Sequence, residues 1–422
     1  MSDSPLTVDR SEPSTAARQY VVVARRYRPQ AFDELLGQEH VARALSNAIS
    51  TNRVGHAYLF TGARGTGKTS TARILAKALD CQTGPTSEPC NRCDICLSIS
   101  SGDDVDVLEI DGASNRGIDE IRQLRQNVNV RPSRARYKIY IIDEVHMLTR
   151  EAFNALLKTL EEPPEHVKFI FCTTEPSKIP ITILSRCQRF DFAGISAASI
   201  ATRLAQIVEA EGVSAEQEAL EVLARRAAGS MRDSQSLLEQ LLAFAPERIT
   251  VADVHGMLGS AGDERLGQIT KHLVDRNAAM ALAELEKAVG EGVDVALLME
   301  QLLAYLRDCM VAAVGAPPDT FLSVSTNSRQ QVVLASQKWG LDTILAAMQI
   351  LDQTLSRMRY STQSRILAEL ALVRICQLED LAELPALIAQ LQNGSTGRRT
   401  ESSQPTGESG GTSVAEAKKK RI

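Results

Sequence analysis

Short apolar runs alternate with segments of helical periodicity through the first half of the chain. Within 70–80, for example, Ile74, Leu75, Ala78 and Leu79 recur at the three- and four-residue spacing of one helix face. Alternation of strand-length runs with such segments predicts an α/β fold, in which helices cover a parallel sheet. The predicted strands are Ala57–Phe60, Val105–Ile110, Lys138–Ile142, Val167–Cys172 and Gln188–Phe192.

In the second half of the chain the pattern changes to one helix after another. A capping box is predicted at Ser214-Ala215-Glu216-Gln217, and it opens a helix that ends at Gly229. Ser230 and Thr250 are the predicted N-caps of the next two helices. This succession of capped helices predicts that the second half of the chain is all-helical.

These patterns divide the chain into five predicted regions. Residues 1–19 and 393–422 are polar and poor in apolar residues, so we expect a disordered leader and a disordered tail. The alternating region, 20–195, is the predicted α/β domain. Residues 196–259 form a predicted helical lid domain, and 260–392 a predicted helical domain that serves oligomerisation.

A phosphate-binding loop is predicted at Gly62-Ala63-Arg64-Gly65-Thr66-Gly67-Lys68-Thr69, between a strand and a helix. Glycines let the backbone turn its N–H groups towards a phosphate, and the helix N-terminus adds positive partial charge. Lys68 can reach the β- and γ-phosphates, and the Thr69 hydroxyl can bind Mg²⁺. A chance glycine-rich turn is the alternative. The predicted nucleotide-binding residues are Gly62, Ala63, Arg64, Gly65, Thr66, Gly67, Lys68, Thr69 and Ser70.

Two carboxylates follow the apolar run at 138–142, which is the Walker B pattern. Asp143 can hold Mg²⁺ directly or through water. Glu144 is placed to polarise an attacking water as a general base. A strand followed by an acidic turn is common by itself, but together with the phosphate loop it predicts hydrolysis of a nucleoside triphosphate.

Four of the eight cysteines lie close together in the sequence: Cys81, Cys90, Cys93 and Cys96. Two C-x-x-C steps share Cys93, and four thiolates at this spacing suit tetrahedral Zn²⁺. Four protein ligands leave no open position, so the predicted zinc knuckle, 81–96, is structural. Two disulfides, or unrelated free thiols, are the alternatives.

The amino-acid composition and net charge exclude several classes of protein. Hydrophobic residues make up 44% of the chain and charged residues 23%, as in ordinary globular domains. The net charge of −5 excludes a polybasic nucleic-acid binder, so any contact with nucleic acid has to be local or shared among subunits. No apolar run reaches the length of a membrane span, and the N-terminus has no signal-peptide core. We therefore expect a cytoplasmic protein without a membrane partner.

The motifs, in this order, resemble the gamma/tau family of bacterial DNA polymerase III, the AAA+ ATPases of the sliding-clamp loader. The resemblance implies an α/β AAA+ domain with an inserted zinc knuckle, a small helical lid domain and a C-terminal all-α collar domain. The knuckle distinguishes the chain from eukaryotic replication factor C. Besides the phosphate loop and the cysteines, the resemblance rests on Arg28–Phe32, Gly37–Val41, Asp143–His146, Phe153–Pro164, Ser185–Cys187 and Gly229–Asp233.

The resemblance implies roles that spacing alone does not give. Thr174 matches sensor 1, which contacts the γ-phosphate or its water, and Arg232 matches sensor 2 on the lid. Arg186 matches the arginine finger that reaches ATP bound to a neighbouring subunit. Taken alone, an exposed arginine on a solvated face is the ordinary case. The implied cofactors are ATP, Mg²⁺ and Zn²⁺, and the implied catalytic residues are Lys68, Asp143, Glu144, Thr174, Arg186 and Arg232.

The same resemblance implies a segment around the nucleotide base, matched by Arg28, Pro29 and Gln38. It also implies partners: delta and delta-prime type subunits and further gamma copies in a hetero-pentamer, the beta sliding clamp, and primer–template DNA. Residues 113–117 and the helix predicted after them could contact the DNA backbone, with a capped surface helix as the alternative. Tau forms carry further domains for the polymerase and the helicase, and we expect this chain to be gamma-like.

Two other functional classes fit parts of the pattern. A translocating AAA+ helicase, such as a branch-migration motor, needs six like subunits, and the zinc knuckle and the helical third domain argue against it. A mainly structural assembly subunit with a vestigial ATPase is the second class. The phosphate-loop and Walker B residues, which are intact, argue against that class.

Overall fold

The computed structural model describes residues 21–317, 320–324 and 328–378. The predicted leader, 1–19, and the predicted tail, 393–422, lie outside the described residues, as does the end of the predicted collar domain. In the described ranges the chain forms seven strands and seventeen α-helices.

The chain forms two compact units. The first contains the chain up to Gly262 together with Val289–Leu297, and the second contains Asp263–Ala288 and the chain from Leu298 onward. The first unit carries all the predicted nucleotide- and metal-binding residues, so the site can be described within it.

A five-stranded parallel sheet forms the centre of the first unit, in the order β2-β3-β4-β1-β5. Parallel strands bring their carboxyl ends to one edge, where Asp111 of β2 pairs with Asp143 of β3 and Thr61 of β1 pairs with Thr173 of β4. The predicted parallel α/β sheet is therefore confirmed. The strands are β1 Ala57–Gly62, β2 Val107–Asp111, β3 Lys138–Asp143, β4 Val167–Thr173 and β5 Gln188–Phe192.

Strand ends differ from the prediction where side chains turn the backbone. β2 begins two residues later than predicted, because the carboxylate of Asp104 accepts hydrogen bonds from the backbone N–H groups of Asp106 and Val107, at 2.8 and 3.2 Å. β1 and β4 run one or two residues further than predicted, to Gly62 and Thr173. The longer strands carry the backbone up to the phosphate loop.

Helices cover both faces of the sheet. Tyr58 and Phe60 of β1 face one cluster of buried side chains, which includes those of α2, α3 and α4, while Leu59 faces the other cluster, with α5 and α6. This alternation is the period of two expected for a strand buried on both faces. The helices of this region are α1 Val23–Arg26, α2 Glu39–Ser50, α3 Lys68–Asp80, α4 Asp94–Ser101, α5 Ile118–Val128, α6 Arg150–Glu161 and α7 Ile181–Leu184.

A helical bundle follows the sheet within the first unit, and α1 packs into it through the buried side chain of Val23. The predicted N-caps Ser230 and Thr250 are confirmed, because each side chain accepts a hydrogen bond from the backbone N–H three residues later. Thr250 and Asp253 form a reciprocal capping box. The helices are α8 Ala197–Ala210, α9 Gln217–Arg226, α10 Met231–Phe244 and α11 Val251–Leu258.

The capping box predicted at Ser214 is wrong. Ser214–Ala215 is a short strand, β6, that pairs with β7, Arg248–Ile249. Helix α9 instead begins after Glu216, which makes no cap hydrogen bond. The carboxylate of Glu216 accepts hydrogen bonds from the Arg248 side chain and from the backbone N–H of Val251, both at 3.1 Å. Pairing with a distant strand has replaced the local cap.

The described part of the second unit is helical throughout, as predicted. Leu302, Tyr305 and Leu351 are among its buried side chains. Among the described ranges, no helix is long and apolar enough to cross a membrane. The remaining helices are α12 Asp263–Val274, α13 Ala278–Gly290, α14 Val295–Ala313, α15 Arg329–Trp339, α16 Leu341–Met358 and α17 Ser364–Cys376.

Candidate functional site

The predicted phosphate loop connects the end of β1 to the start of α3, at the carboxyl edge of the sheet. The ammonium group of Lys68 donates hydrogen bonds to the backbone carbonyls of Gly62 and Ala63, at 2.8 and 2.7 Å. Burial lowers the pKa of Lys68 from its ordinary value. A buried cation bonded only to neutral carbonyls is electrostatically incomplete, and an incoming phosphate would supply the missing negative charge.

Gly65 brings the phosphate loop against the first turn of α10. Its backbone is left-handed, with φ +76°, and a Cβ there would lie 2.0 Å from the hydroxyl oxygen of Ser230. The carbonyl of Gly65 accepts a hydrogen bond of 3.1 Å from the backbone N–H of Met231. The side chain of Ser230 caps α10, and Arg232 lies two residues further on. Only glycine fits this close approach, which places Arg232 beside the loop.

The two residues predicted to bind Mg²⁺ contact each other. The hydroxyl of Thr69, in the first turn of α3, donates a hydrogen bond of 2.7 Å to Oδ2 of Asp143, the last residue of β3. A hydroxyl and a carboxylate are oxygen ligands of the kind that Mg²⁺ prefers. The pair therefore fits a divalent cation at the edge of the phosphate loop.

Glu144 is held by neighbours that follow two strands, β3 and β4. The hydroxyl of Thr174 donates a hydrogen bond of 3.2 Å to Oε2 of Glu144. Nδ1 of His146 lies 3.3 Å from the same oxygen and 3.0 Å from the hydroxyl oxygen of Thr173. Glu144 also has a left-handed backbone, with φ 45°. Such backbone conformations in residues other than glycine are costly, and they concentrate at functional sites.

The sequence did not predict a role for His146. Its side chain is 6% exposed, and it also approaches Glu175, at 3.4 Å. It therefore orients the carboxylate of Glu144 rather than facing open solvent. The only signal in the sequence is its position two residues after Glu144, on a short 3-10 turn over Val145–Met147.

A cavity of about 520 Å³ opens above the phosphate loop. Its walls come from the loop, from the carboxyl end of β3, from the segment around Arg28 and from α10. Seven cationic and three acidic side chains line the cavity, which suits a polyanion such as a triphosphate. The charged lining residues are Arg25, Arg28, Glu34, Arg64, Lys68, Arg73, Asp143, Glu144, Arg203 and Arg232.

The segment predicted to surround the base also lines this cavity, through Arg28, Pro29 and Gln38. Burial lowers the pKa of the Arg28 guanidinium, and the guanidinium of Arg73 lowers it further. The buried amide of Gln38 is bonded to the backbone of Ala193, both as donor, at 2.7 Å, and as acceptor, at 3.1 Å. Both polar atoms of the Gln38 amide are thus occupied by hydrogen bonds to the protein backbone. The charged form of Arg28, in contrast, would be stabilised by a negatively charged ligand.

Five of the six predicted catalytic residues come together at this site, and Arg186 does not. Lys68, Asp143, Glu144 and Arg232 line the cavity, and Thr174 contacts Glu144. Arg186 follows α7 and forms an ion pair of 2.6 Å with Glu161. A position away from the chain's own cavity is the one that a residue acting on a neighbouring subunit requires.

The four predicted zinc ligands also come together. Their sulfur atoms all lie within 4.8 Å of one another. A tetrahedral zinc with Zn–S bonds of about 2.3 Å needs sulfurs about 3.8 Å apart, so the cluster fits the ion with small adjustments. Burial raises the pKa of the Cys81 thiol, but hydrogen bonds from Thr83 and Cys90 bring it down to about 6. All four thiols are free of disulfides.

Three family models match the chain. The model described as "DNA polymerase III, delta subunit" matches residues 37–196. The model of the "DNA polymerase III clamp loader subunit, ATPase lid domain" matches 199–247. The model of "DNA polymerase III subunits gamma and tau domain III" matches 249–391.

Among curated relatives, the DNA polymerase III subunit gamma of Buchnera aphidicola from Acyrthosiphon pisum is 36% identical over 357 residues, which are 84% of this chain and 98% of the relative. The subunit tau of Bacillus subtilis is 43% identical over 381 residues, 88% of this chain and 67% of the relative. The chain belongs to the gamma/tau family of bacterial DNA polymerase III. It is also 40% identical over 370 residues to the tau subunit of Escherichia coli, of which it covers only 57%.

In this gamma/tau subunit the predicted DNA-contacting segment is a turn followed by α5. The carboxylate of Asp111 accepts hydrogen bonds from the N–H of Ala113, at 2.9 Å, and the hydroxyl of Ser114, at 2.6 Å. The side chain of Arg116 donates to the carbonyl of Ala113, at 2.7 Å. No side chain caps α5 at Gly117. The surface-helix alternative is not tested by this geometry, and DNA contact stays a prediction.

The four-cysteine cluster fits a zinc ion, and removing a metal held there should destabilise the first unit. We expect a chelator to lower the thermal midpoint by roughly 10 °C, because a structural zinc contributes several kcal/mol to folding. Acidification should release the metal without a chelator, since protons compete for the thiolates and affinity falls as the pH falls. The measurement is calorimetry with metal analysis, and added zinc should restore the midpoint. An unchanged midpoint after complete metal removal would contradict a structural zinc.

Proposed function

We propose that this chain is an ATPase subunit of the bacterial clamp loader, in which ATP binding and hydrolysis drive opening and loading of the sliding clamp onto primed DNA. One observation carries the proposal. In a gamma/tau subunit, the phosphate-loop Lys68, the carboxylates Asp143 and Glu144, and the lid residue Arg232 all line one cationic cavity.

Each residue has a proposed task in this cavity. Lys68 transfers its hydrogen bonds from the two carbonyls to phosphate oxygens, and the loop N–H groups bind the remaining oxygens. Thr69 and Asp143 would hold Mg²⁺, which supplies charge neutralisation to the triphosphate when bound. Glu144, oriented by Thr174 and His146, accepts a proton from the attacking water.

Two arginines would connect hydrolysis to conformation and assembly. Arg232 begins α10 and contacts ATP from the lid, so the position of the lid follows the state of the nucleotide. Arg186 contacts ATP in a neighbouring subunit, so stimulated hydrolysis requires a formed complex. We propose that the complex is a hetero-pentamer with delta, delta-prime and further gamma subunits, acting in the cytoplasm.

The beta clamp and primer–template DNA are the proposed substrates of the assembled loader. Contact with the DNA backbone through the start of α5 is supported by the cationic side chain of Arg116, which lies just before the helix. Backbone contacts made by a ring of such helices do not depend on the DNA sequence, and they weaken as salt is added. Native mass spectrometry that finds six like copies of this chain, instead of a mixed pentamer, would favour a translocating motor.

Glu144→Gln tests the proposed chemistry at the cavity. Glutamine keeps the shape of the side chain but cannot accept the proton of water, so hydrolysis should fall by about 10²- to 10⁴-fold. Binding of a non-hydrolysable ATP analogue should change less than about threefold, because the phosphate contacts remain. Single-turnover hydrolysis and equilibrium binding measure the two quantities.

The matched control is Glu151→Gln, which changes an exposed carboxylate on α6 outside the cavity. It should leave both binding and hydrolysis as in the unmodified chain. Hydrolysis by Glu144→Gln at the rate of this control would overturn the assignment of the general base.

A further inference from the structure

The segment 22–30, here called the N-terminal strap, crosses the nucleotide cavity. Arg25 and Arg28 of the strap line that cavity. At its first end the strap is fixed to the helical lid: Val23 is buried in the lid core, and Arg26 binds the carboxylate of Glu211 at 3.0 Å. The hydroxyl of Tyr27 donates to the same carboxylate. The strap therefore carries two cationic side chains over the site from a fixed point on the lid.

At its other end the strap is fixed through one buried lysine. The ammonium group of Lys77, on α3, donates to the carbonyl oxygen of Gln30 at 2.9 Å and to its side-chain oxygen at 2.7 Å. The third hydrogen bond of Lys77, at 2.8 Å, goes to the side-chain oxygen of Asn91 in the zinc knuckle. Lys77 is only 1% exposed. All three ammonium donors are thus used, two on the strap and one on the knuckle.

Helix α4, which begins at the knuckle, makes three further contacts, one with Gln30 of the strap and two with arginines that line the cavity. The hydroxyl of Ser100 donates to the side-chain oxygen of Gln30 at 3.0 Å. The carbonyl of Ser100 accepts a hydrogen bond from Arg73 at 3.1 Å, and the carbonyl of Ser101 accepts one from Arg25 at 3.4 Å. Arg25 and Arg73 both line the cavity. The end of α4 therefore holds two cavity arginines.

The zinc cysteines fix the positions of both contact points. Asn91 lies between Cys90 and Cys93 and has a left-handed backbone, with φ 54°. The sulfur of Cys93 caps α4 by accepting a hydrogen bond from the N–H of Cys96 at 3.5 Å. When two cysteines on either side of Asn91 share a metal, Asn91 and the start of α4 cannot move separately from α3. Groups that do not themselves contact a bound ligand can in this way orient the groups that do.

We propose that the zinc knuckle positions the nucleotide cavity: through Asn91, Lys77 and Gln30 it holds the N-terminal strap, and through α4 it holds Arg25 and Arg73. The proposal rests on the proposed function, since it takes ATP as the ligand of the cavity. It gives the zinc a second effect besides stability. Loss of the metal loosens the strap, and ATP binding then has to order that segment again, which weakens affinity.

Asn91→Gly tests the connection while keeping the metal. Glycine accepts the left-handed backbone of this position and removes only the acceptor for Lys77. A buried ammonium that loses one of three acceptors is strongly disfavoured, so we expect about tenfold weaker binding of a fluorescent ATP analogue to the full chain. Zinc content should equal that of the unmodified chain. Gln82→Ala, an exposed change in the same knuckle, is the control and should leave the dissociation constant unchanged.

A second variant, Gln30→Ala, tests whether zinc acts through the strap. Chelation should weaken analogue binding by roughly tenfold in the unmodified chain but by only about threefold in Gln30→Ala, because residues that act in one network are not additive. The variant loses the side-chain acceptor of Lys77 and Ser100, while the backbone carbonyl of residue 30 still accepts from Lys77. Hydrogen exchange supplies a readout independent of nucleotide. Backbone amides of residues 25–30 should exchange about tenfold faster after chelation or in Asn91→Gly, and at the normal rate in Gln82→Ala.

The outcomes separate the two proposals. Normal analogue binding and normal strap exchange in Asn91→Gly would overturn the positioning role and leave the ATPase proposal intact. The positioning role would also be overturned if chelation weakened analogue binding equally in Gln30→Ala and in the unmodified chain. An unmodified chain that binds no analogue would overturn both.

Discussion

Lys68→Ala should abolish ATP binding, with a loss of affinity of more than about 100-fold. The physical reason lies in how Lys68 is held without nucleotide. Its ammonium group is buried and bonded to two neutral carbonyls, and burial lowers its pKa from the ordinary value. A triphosphate replaces those weak partners with charged oxygens, so much of the binding free energy is expected to come from this one contact.

The substitution should leave the fold intact. The carbonyl of Ala63 keeps a second hydrogen bond, of 2.9 Å, from the hydroxyl of Thr66. Removal of a buried charge without a full counter-charge costs little stability or increases it. Titration calorimetry with ATP and a thermal melt measure both quantities. Lys158→Ala, on the exposed side of α6, is the control. If Lys68→Ala bound ATP with an affinity within tenfold of that of the control, the proposed role of the phosphate loop would be wrong.

Arg186→Ala should leave ATP binding by the isolated chain unchanged and reduce stimulated hydrolysis in the assembled complex by about 10³-fold or more. Arg186 lies outside the cavity of its own chain and is paired with Glu161. The side chain of Arg186 is 31% exposed, and a partly exposed ion pair of this kind contributes about 0–1 kcal/mol. The variant should therefore fold and assemble normally.

A matched control lies three residues along the chain. Arg189 is also a surface arginine paired with a carboxylate, that of Asp191 at 2.8 Å, and Arg189→Ala should keep stimulated turnover. Glu161→Gln removes the ion pair of Arg186 within its own chain and should preserve or increase stimulation. The hydrogen bonds of Arg186 to the carbonyl of Thr182, at 2.7 Å, and to the hydroxyl of Ser185, at 3.2 Å, remain. Turnover by the Arg186→Ala assembly equal to that of Arg189→Ala would contradict action on a neighbouring subunit.

The sequence predicted most of the sheet and the local chemistry because those features depend on nearby residues. Strand-length apolar runs give the five strands to within two residues at their ends, and the N-caps at Ser230 and Thr250 are confirmed. The cysteine spacing likewise predicted a cluster that forms. At Ser214 the local pattern failed, because β6 pairs with β7 more than thirty residues away. Local signals cannot show which distant backbone competes with a cap.

Other parts of the site depend on contacts that no local pattern records. Thr174 contacts Glu144, which lies thirty residues earlier in the chain. The role predicted for Thr174 rested on the family resemblance and not on a local pattern. The N-terminal strap is bonded to Lys77, 47 residues away, and to Glu211, 185 residues from Arg26. The resemblance placed Arg28 and Pro29 of the strap near the nucleotide base, but the contacts that fix the two ends of the strap appear only in the fold.

The most direct test of the account is steady-state ATP hydrolysis by this chain assembled with its delta-type partners, with and without clamp and primed DNA. We predict strong stimulation that requires both the clamp and the DNA, and that is lost in the Arg186→Ala assembly. Turnover driven by DNA but indifferent to the clamp would contradict clamp loading and favour a motor. A verified assembly without turnover under any condition would contradict the ATPase itself.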